Sequence, residues 1–231
     1  MDMESNKDES NFLLRRLKKL SFEVVLLAVI FFICLWVLFL VADMVFEDKD
    51  TRFDERVFSL INTYTNSGNT SVMQLITFFG SHYFLLPANI ILAGIFLFIK
   101  KHRWYSLKIA AVSITSTAVM FLLKGILQRQ RPLVPVISNV HGYSFPSGHS
   151  FSSLVFFGML GYIVFRTIRN AWIKWLLIFC CFGAALLVGF SRIYLKLHYA
   201  SDVIAGLCLG MIWLLLARWL LVKTERAVAN I

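Results

Sequence analysis

Acidic side chains nearly vanish after the first quarter of this 231-residue chain: of 13 in all, only Asp202 and Glu225 lie beyond Glu55. A metal centre built on oxygen ligands draws on several carboxylates. Residues 56–231 cannot supply them, so their chemistry is expected to need no metal and no other cofactor. Cysteine is equally scarce. Cys34, Cys180, Cys181 and Cys208 all sit inside apolar runs, without Cys-x-x-Cys spacing and without histidines to complete a ligand set, so they read as small core residues. A polar majority is also missing: 58% of the residues are hydrophobic and 22 are Phe, more than the roughly one half of a soluble domain.

What is present instead is a series of apolar runs approaching the ~20 residues that cross ~30 Å of hydrocarbon. The net charge of +10 raises nucleic acid as a partner, but the bases flank apolar spans rather than forming one stripe, which argues against it. The first apolar run is far longer than the ~7–15 residues of a signal-peptide core and lacks a small-residue cleavage pattern, so it reads as an uncleaved span. The expected architecture is all-α: an integral membrane bundle of six transmembrane helices with short extracytoplasmic amphipathic helices.

In chain order, residues 1–20 read as a cytoplasmic tail, disordered at first and ending in Arg15, Arg16, Lys18 and Lys19, and residues 21–231 as a single membrane domain. Spans are expected near 22–42, 82–99, 105–123, 149–168, 172–190 and 203–222. Between the first two, Phe53, Val57, Leu60 and Ile61 follow helical spacing, and residues 72–81 are too short to span and fit an interfacial helix. Lys100, Lys101 and Arg103, then Arg166, Arg169 and Lys174, then Lys223 and Arg226 mark loops and termini that the positive-inside rule places in the cytoplasm. Trp104 and Trp172 stand at that boundary.

Three polar clusters then share the opposite, outer face: Lys124 to Pro132, Phe145 to His149, and Ser191 to Asp202. Lys124, Arg129, Arg131, Arg192 and Lys196 collect there against the rule, and such a set of cations needs an anionic partner. Arg131 and Arg192 are planar forks suited to phosphate, Lys124 is a point charge on a flexible stem, and Arg129 and Lys196 read as solvated. Ser147 and the glycine after it suit a helix start, where free N–H groups attract an anion and Gly148 lets the backbone come close. His198 and Asp202, four apart, are expected on one face of a helix, so that the carboxylate fixes the tautomer of a nucleophilic imidazole. His149 is placed to give a proton to a leaving alkoxide. His82, His102 and His141 read as structural.

The three clusters resemble the tripartite signature of the type 2 phosphatidic acid phosphatase superfamily: Lys-x6-Arg-Pro, Pro-Ser-Gly-His and Ser-Arg-x5-His-x3-Asp, each position matched. The resemblance covers about residues 53–222. It implies a phosphohistidine on His198, Asp202 as its orienting partner, His149 as general acid, and Lys124, Arg131, Ser147, Gly148 and Arg192 around the phosphate. The function expected is hydrolysis of a lipid phosphomonoester or diphosphate (phosphatidylglycerophosphate, phosphatidic acid or undecaprenyl diphosphate) on the outer face of a bacterial inner membrane. Its partners would be the lipid and the bilayer, with no protein partner evident. A phosphotransferase with the same site is the near alternative. A non-catalytic lipid-phosphate binder or transporter is the distant one, disfavoured because it has no use for a His–Asp pair and because no internal repeat is evident.

Overall fold

The computed structural model describes residues 2–99, 103–133, 135–137 and 142–229, with side chains from Phe22 to Trp219. Lys100, Lys101, His102 and His141 lie outside them, as do the side chains of Arg15, Arg16, Lys18, Lys19, Lys223 and Arg226. Eight helices follow in order: α1 (Asp2–Phe46), α2 (Arg52–Asn62), α3 (Ser67–Phe78), α4 (His82–Phe98), α5 (Arg103–Leu127), α6 (Gly148–Thr167), α7 (Ala171–Tyr194) and α8 (Ala200–Ala229). Among the described residues six stretches are long and apolar enough to cross a membrane, the run from Ser67 to Phe98 counting as one although a turn at 79–81 divides α3 from α4. The tail expected to begin disordered is instead carried in α1. No glycine or proline occurs before Gly68, so neither residue breaks α1 along its length from Asp2 to Phe46.

Side chains sort as lipid demands. Phe32, Trp36, Ile90, Phe121, Trp172 and Phe179 are exposed on the outer surfaces of their helices, where hydrocarbon rather than water would meet them. Inside, Ile109, Val112 and Met120 of α5 pack against Phe151, Val155, Met159 and Ile163 of α6, with Leu209 and Trp213 of α8 behind. Helices α6 and α8 approach closely because glycines face the contact. A Cβ on Gly206 would lie 2.6 Å from the Ser147 carbonyl oxygen, and one on Gly210 would lie 3.2 Å from Leu154 and the Phe151 carbonyl oxygen. This four-residue spacing of small residues is a common way for membrane helices to bring backbones together.

The short helices dock on the same end of the bundle as the polar clusters. Val57 and Ile61 of α2 pack with Tyr194, Leu195 and Leu197, and Phe58 meets the Tyr199 ring with centroids 5.7 Å apart. The docked face is therefore Asp54, Val57, Phe58 and Ile61, one residue round from the face expected; Phe53 and Leu60 are exposed. The rotation follows from Asp54, which is fully buried against α8 and fixes which side of α2 turns inward.

Candidate active site

Helices run alternately up and down, so the end of α5, the start of α6, the end of α7 and the start of α8 meet at one end of the bundle. Each start or end is made by local chemistry. Asn66 caps α3, its side chain accepting the Asn69 N–H at 2.8 Å. The Ser147 side chain caps α6 by accepting the Ser150 N–H at 3.4 Å and also accepts the Ser150 hydroxyl at 2.8 Å, leaving the N–H groups of Gly148 and His149 in the first turn. Helix α7 stops in a Schellman turn: Leu197 N–H bonds the Arg192 carbonyl at 3.0 Å and Lys196 N–H bonds that of Ile193 at 2.9 Å. Lys196 holds φ at +53°, a left-handed conformation that glycine usually fills.

That turn changes one expectation. His198 and Asp202 do not share a helix, because α8 begins only at Ala200. Leu195 to Tyr199 form an irregular turn, and Asp202 Oδ2 folds back to accept the Tyr199 N–H at 3.0 Å. The pair still meets: Asp202 Oδ2 lies 3.5 Å from His198 Nδ1. This is long for a hydrogen bond, as such contacts often are before substrate binds. At the other ring nitrogen, Arg131 Nη1 stands 3.2 Å from His198 Nε2. Arginine can only donate, which favours a lone pair on Nε2, while the buried Nδ1 has the carboxylate nearby but no hydrogen-bond partner at ordinary distance. His198 is 1% exposed. Its burial, reinforced by Arg192, Arg131 and Lys124, holds its pKa well below the usual 6.5 and keeps the ring neutral.

A cavity of about 770 Å³ opens in front of His198, and Lys124, Arg131, Gly148, His149 and Arg192 line it as well. Ser147 and Asp202, fully buried, stand behind it. Lys124 Nζ donates to the Tyr143 carbonyl at 2.9 Å. Arg131 Nε donates to the Gly142 carbonyl at 2.9 Å, and its Nη1 to the Leu197 carbonyl at 2.7 Å. Arg192 Nη1 donates to Thr77 Oγ1 at 3.0 Å, while its Nε is buried without an acceptor. A buried, unpaired guanidinium N–H is costly unless an acceptor arrives, and an anion in the cavity would supply one. A Cβ at Gly148 would reach into this space, 3.9 Å from Lys124 Nζ.

From the cations the cavity continues between α4, α5 and α6 past Leu85, Thr117, Val155 and Met159 to Ile109. Ile109 lies 15 residues before Lys124 on α5, about 22 Å along the helix at ~1.5 Å per residue.

Sequence reasoning missed several residues here. Arg129, read as solvated, has a side chain only 12% exposed and is bonded to both Asp54 (2.9 Å) and Asp202 (2.6 Å). Thr77 holds Arg192, and a Cβ on Gly80 would fall 2.3 Å from Val188 and 3.4 Å from the His149 side chain, so the turn between α3 and α4 backs the second histidine. Asp54 also enlarges the set of carboxylates near the site to two. Both are engaged by Arg129, and no group of three His, Cys, Asp or Glu side chains suited to a metal occurs among the described residues.

Comparison with known proteins bears on the family and the fold. The profile of the PAP2 superfamily matches residues 105–226. Phosphatidylglycerophosphatase B of Bacillus subtilis is 30% identical over 156 residues, 67% of this chain and 76% of the relative. Undecaprenyl-diphosphatase BcrC of the same organism is 30% identical over 155 residues, 63% of this chain and 74% of the relative. Among solved structures, a transmembrane PAP2-type phosphatidylglycerolphosphate phosphatase from Bacillus subtilis superimposes with a TM-score of 0.75 at 25% identity, covering 81% of this chain and 93% of that one. Aquifex aeolicus LpxE superimposes with a TM-score of 0.56 at 25% identity, over 71% and 93%. By its three clusters, its six apolar helices and these matches, the chain belongs to the PAP2 superfamily.

Proposed function

We propose that this chain is a membrane lipid phosphatase that works through a phosphohistidine on the extracytoplasmic face of a bacterial cytoplasmic membrane. The observation that carries the reading is His198: buried, with Nδ1 3.5 Å from Asp202 and Nε2 turned to the cavity where Lys124, Arg131 and Arg192 gather. Nε2 attacks phosphorus as Arg131 passes from the ring to a phosphate oxygen. The N–P bond forms and the bond to the lipid oxygen breaks, that oxygen leaving with a proton from His149. Water then attacks the phosphohistidine, His149 takes its proton, and the N–P electron pair returns to Nε2. Lys124, Arg131, Arg192 and the first-turn N–H groups of α6 stabilise the charge of the transition state, while Ser147 holds that turn in place.

The apolar continuation of the cavity suits a lipid tail rather than a soluble ester. The relatives' names suggest phosphatidylglycerophosphate or a polyprenyl diphosphate as substrate, and phosphatidic acid shares the same headgroup chemistry. The test is phosphate release by the purified chain from each of the three lipids, with and without excess EDTA, alongside labelling of the enzyme from a phosphate-labelled lipid, quenched in alkaline detergent because a phosphohistidine is lost in acid. Release from at least one lipid, undiminished by chelation, and label absent from His198→Ala are expected. No release from any of them, loss of activity restored by magnesium, or label retained by His198→Ala would overturn the reading.

A further inference from the structure

We propose that Arg129 and Asp54 are positioning residues of the reaction, forming the hold that aims Asp202 at His198. The inference rests on His198 being the nucleophile. Asp202 is gripped at both oxygens: Oδ2, the one facing His198 Nδ1 at 3.5 Å, accepts the Tyr199 N–H at 3.0 Å, and Oδ1 accepts Arg129 Nη1 at 2.6 Å. Two bonds from different directions fix the rotation of the carboxylate plane, which one bond would leave free. Arg129 is fixed in turn. Its Nη1 also donates to Ser201 Oγ at 2.8 Å, its Nη2 to Asp54 Oδ2 at 2.9 Å, and its guanidinium carbon lies 4.1 Å from the Tyr199 ring centroid. Asp54 is 0% exposed and accepts the Ser201 N–H at 2.9 Å and the Ser201 hydroxyl at 2.6 Å.

Charge gives the second carboxylate its purpose. Arg129 with Asp202 alone would form a neutral pair, and the cation would compete with the imidazole for the carboxylate. With Asp54 on the far side of the guanidinium, the trio carries a net charge of −1 beside the ring. That charge is what His198 requires when its lone pair goes to phosphorus and the ring becomes cationic among Lys124, Arg131 and Arg192. A clamp that merely tied α2 to α8 would need Asp54 on Ser201, and nothing on the oxygen next to the one facing the histidine.

The experiment uses the full chain in detergent, with the rate of phosphoenzyme formation, kcat, KM and Tm measured for Asp54→Asn, Arg129→Met and Arg129→Lys, each alone and combined with Asp202→Asn. Alone, Asp54→Asn and Arg129→Met should slow phosphoenzyme formation and kcat by ~10–100-fold, the usual effect of losing a partner that orients a histidine. KM should stay near the wild-type value. Arg129→Lys should recover part of the loss, because an ammonium reaches one carboxylate but not two. In the Asp202→Asn background the same changes should cost little more, since residues acting through one group are non-additive. Losses that multiply with that of Asp202→Asn, or an unchanged kcat with a lowered Tm, would show a structural clamp and overturn the proposal. If Arg129→Met does not fold, the nearly isosteric Asp54→Asn carries the same test. Wild-type protein that takes no phosphate on His198 would overturn the nucleophile reading itself. Wild type labelled on His198 with Asp54→Asn as fast as wild type would overturn only the positioning role.

Discussion

His149 and His198 face the same cations but have different immediate neighbours, and their proposed division of labour rests on that difference. His198 lies in a turn with a carboxylate on one nitrogen and a guanidinium on the other. His149 lies on the cavity wall in the first turn of α6, backed by the turn at Gly80, where a departing oxygen could take its proton. His149→Ala is therefore expected to slow cleavage of a lipid phosphate by ~10²–10⁴-fold, the contribution typical of a positioned acid. On nitrophenyl phosphate, whose leaving group needs little protonation, the loss should be smaller. Equal losses on the two substrates would remove His149 from that role. These two histidines and the cations around them were legible because each sits in a short motif at a helix end. Asp54 was not. Its partner Ser201 is 147 residues away, and nothing in an acidic stretch marks which carboxylate will be buried. Arg129 went unread for the same reason, its two carboxylates being 75 and 73 residues distant.

At the scale of the helices, the apolar runs placed five of the six spans to within a few residues, since lipid imposes length and composition together, whereas the second apolar stretch begins at Ser67 rather than near 82. The other misplaced boundary was the start of α8. It depended on Lys196 accepting a left-handed φ of +53°, and a lysine gives no signal of that. The glycine contact between α6 and α8 makes a prediction of its own. In Gly206→Ala the new methyl would lie 2.6 Å from the Ser147 carbonyl oxygen, a backbone atom that cannot turn aside. Overpacking of this kind costs about 1–3 kcal/mol, so the variant should lower Tm and activity together. Gly183→Ala, where nothing lies within 4 Å, should leave both intact or raise Tm slightly. Equal behaviour of the two would mean that α6 and α8 are not in contact at this point.

Over the molecule as a whole, Arg103, Arg166, Arg169 and Lys174 among the described residues stand at the end of the bundle away from the cavity mouth, and the proposal that the mouth faces outward rests on the positive-inside rule. Leu133, 96% exposed in the connection after α5, and Asn170, which caps α7, lie at opposite ends of α6. With single cysteines introduced at these positions in a cysteine-free chain, an impermeant thiol reagent applied to intact cells should label position 133 and spare 170; the reverse would invert the orientation. Orientation stays an expectation from loop charge until that labelling is done, whereas the packing of the short helices on the bundle was not legible at all, since it rests on contacts between distant residues. The close contact of α6 and α8 at Gly206 has a consequence for life in a bilayer. The Ser147 N–H donates to the Asp202 carbonyl at 3.0 Å, joining the second polar cluster to the third through backbone alone, at the point where Gly206 lets the two helices touch. When acyl chains lengthen, shorten or stiffen with growth temperature, the change in hydrocarbon thickness falls on the tilt of peripheral helices such as α1 and α4. The distances among the reacting groups are set inside the protein, so the chemistry is decoupled from the thickness of the membrane that delivers its substrate.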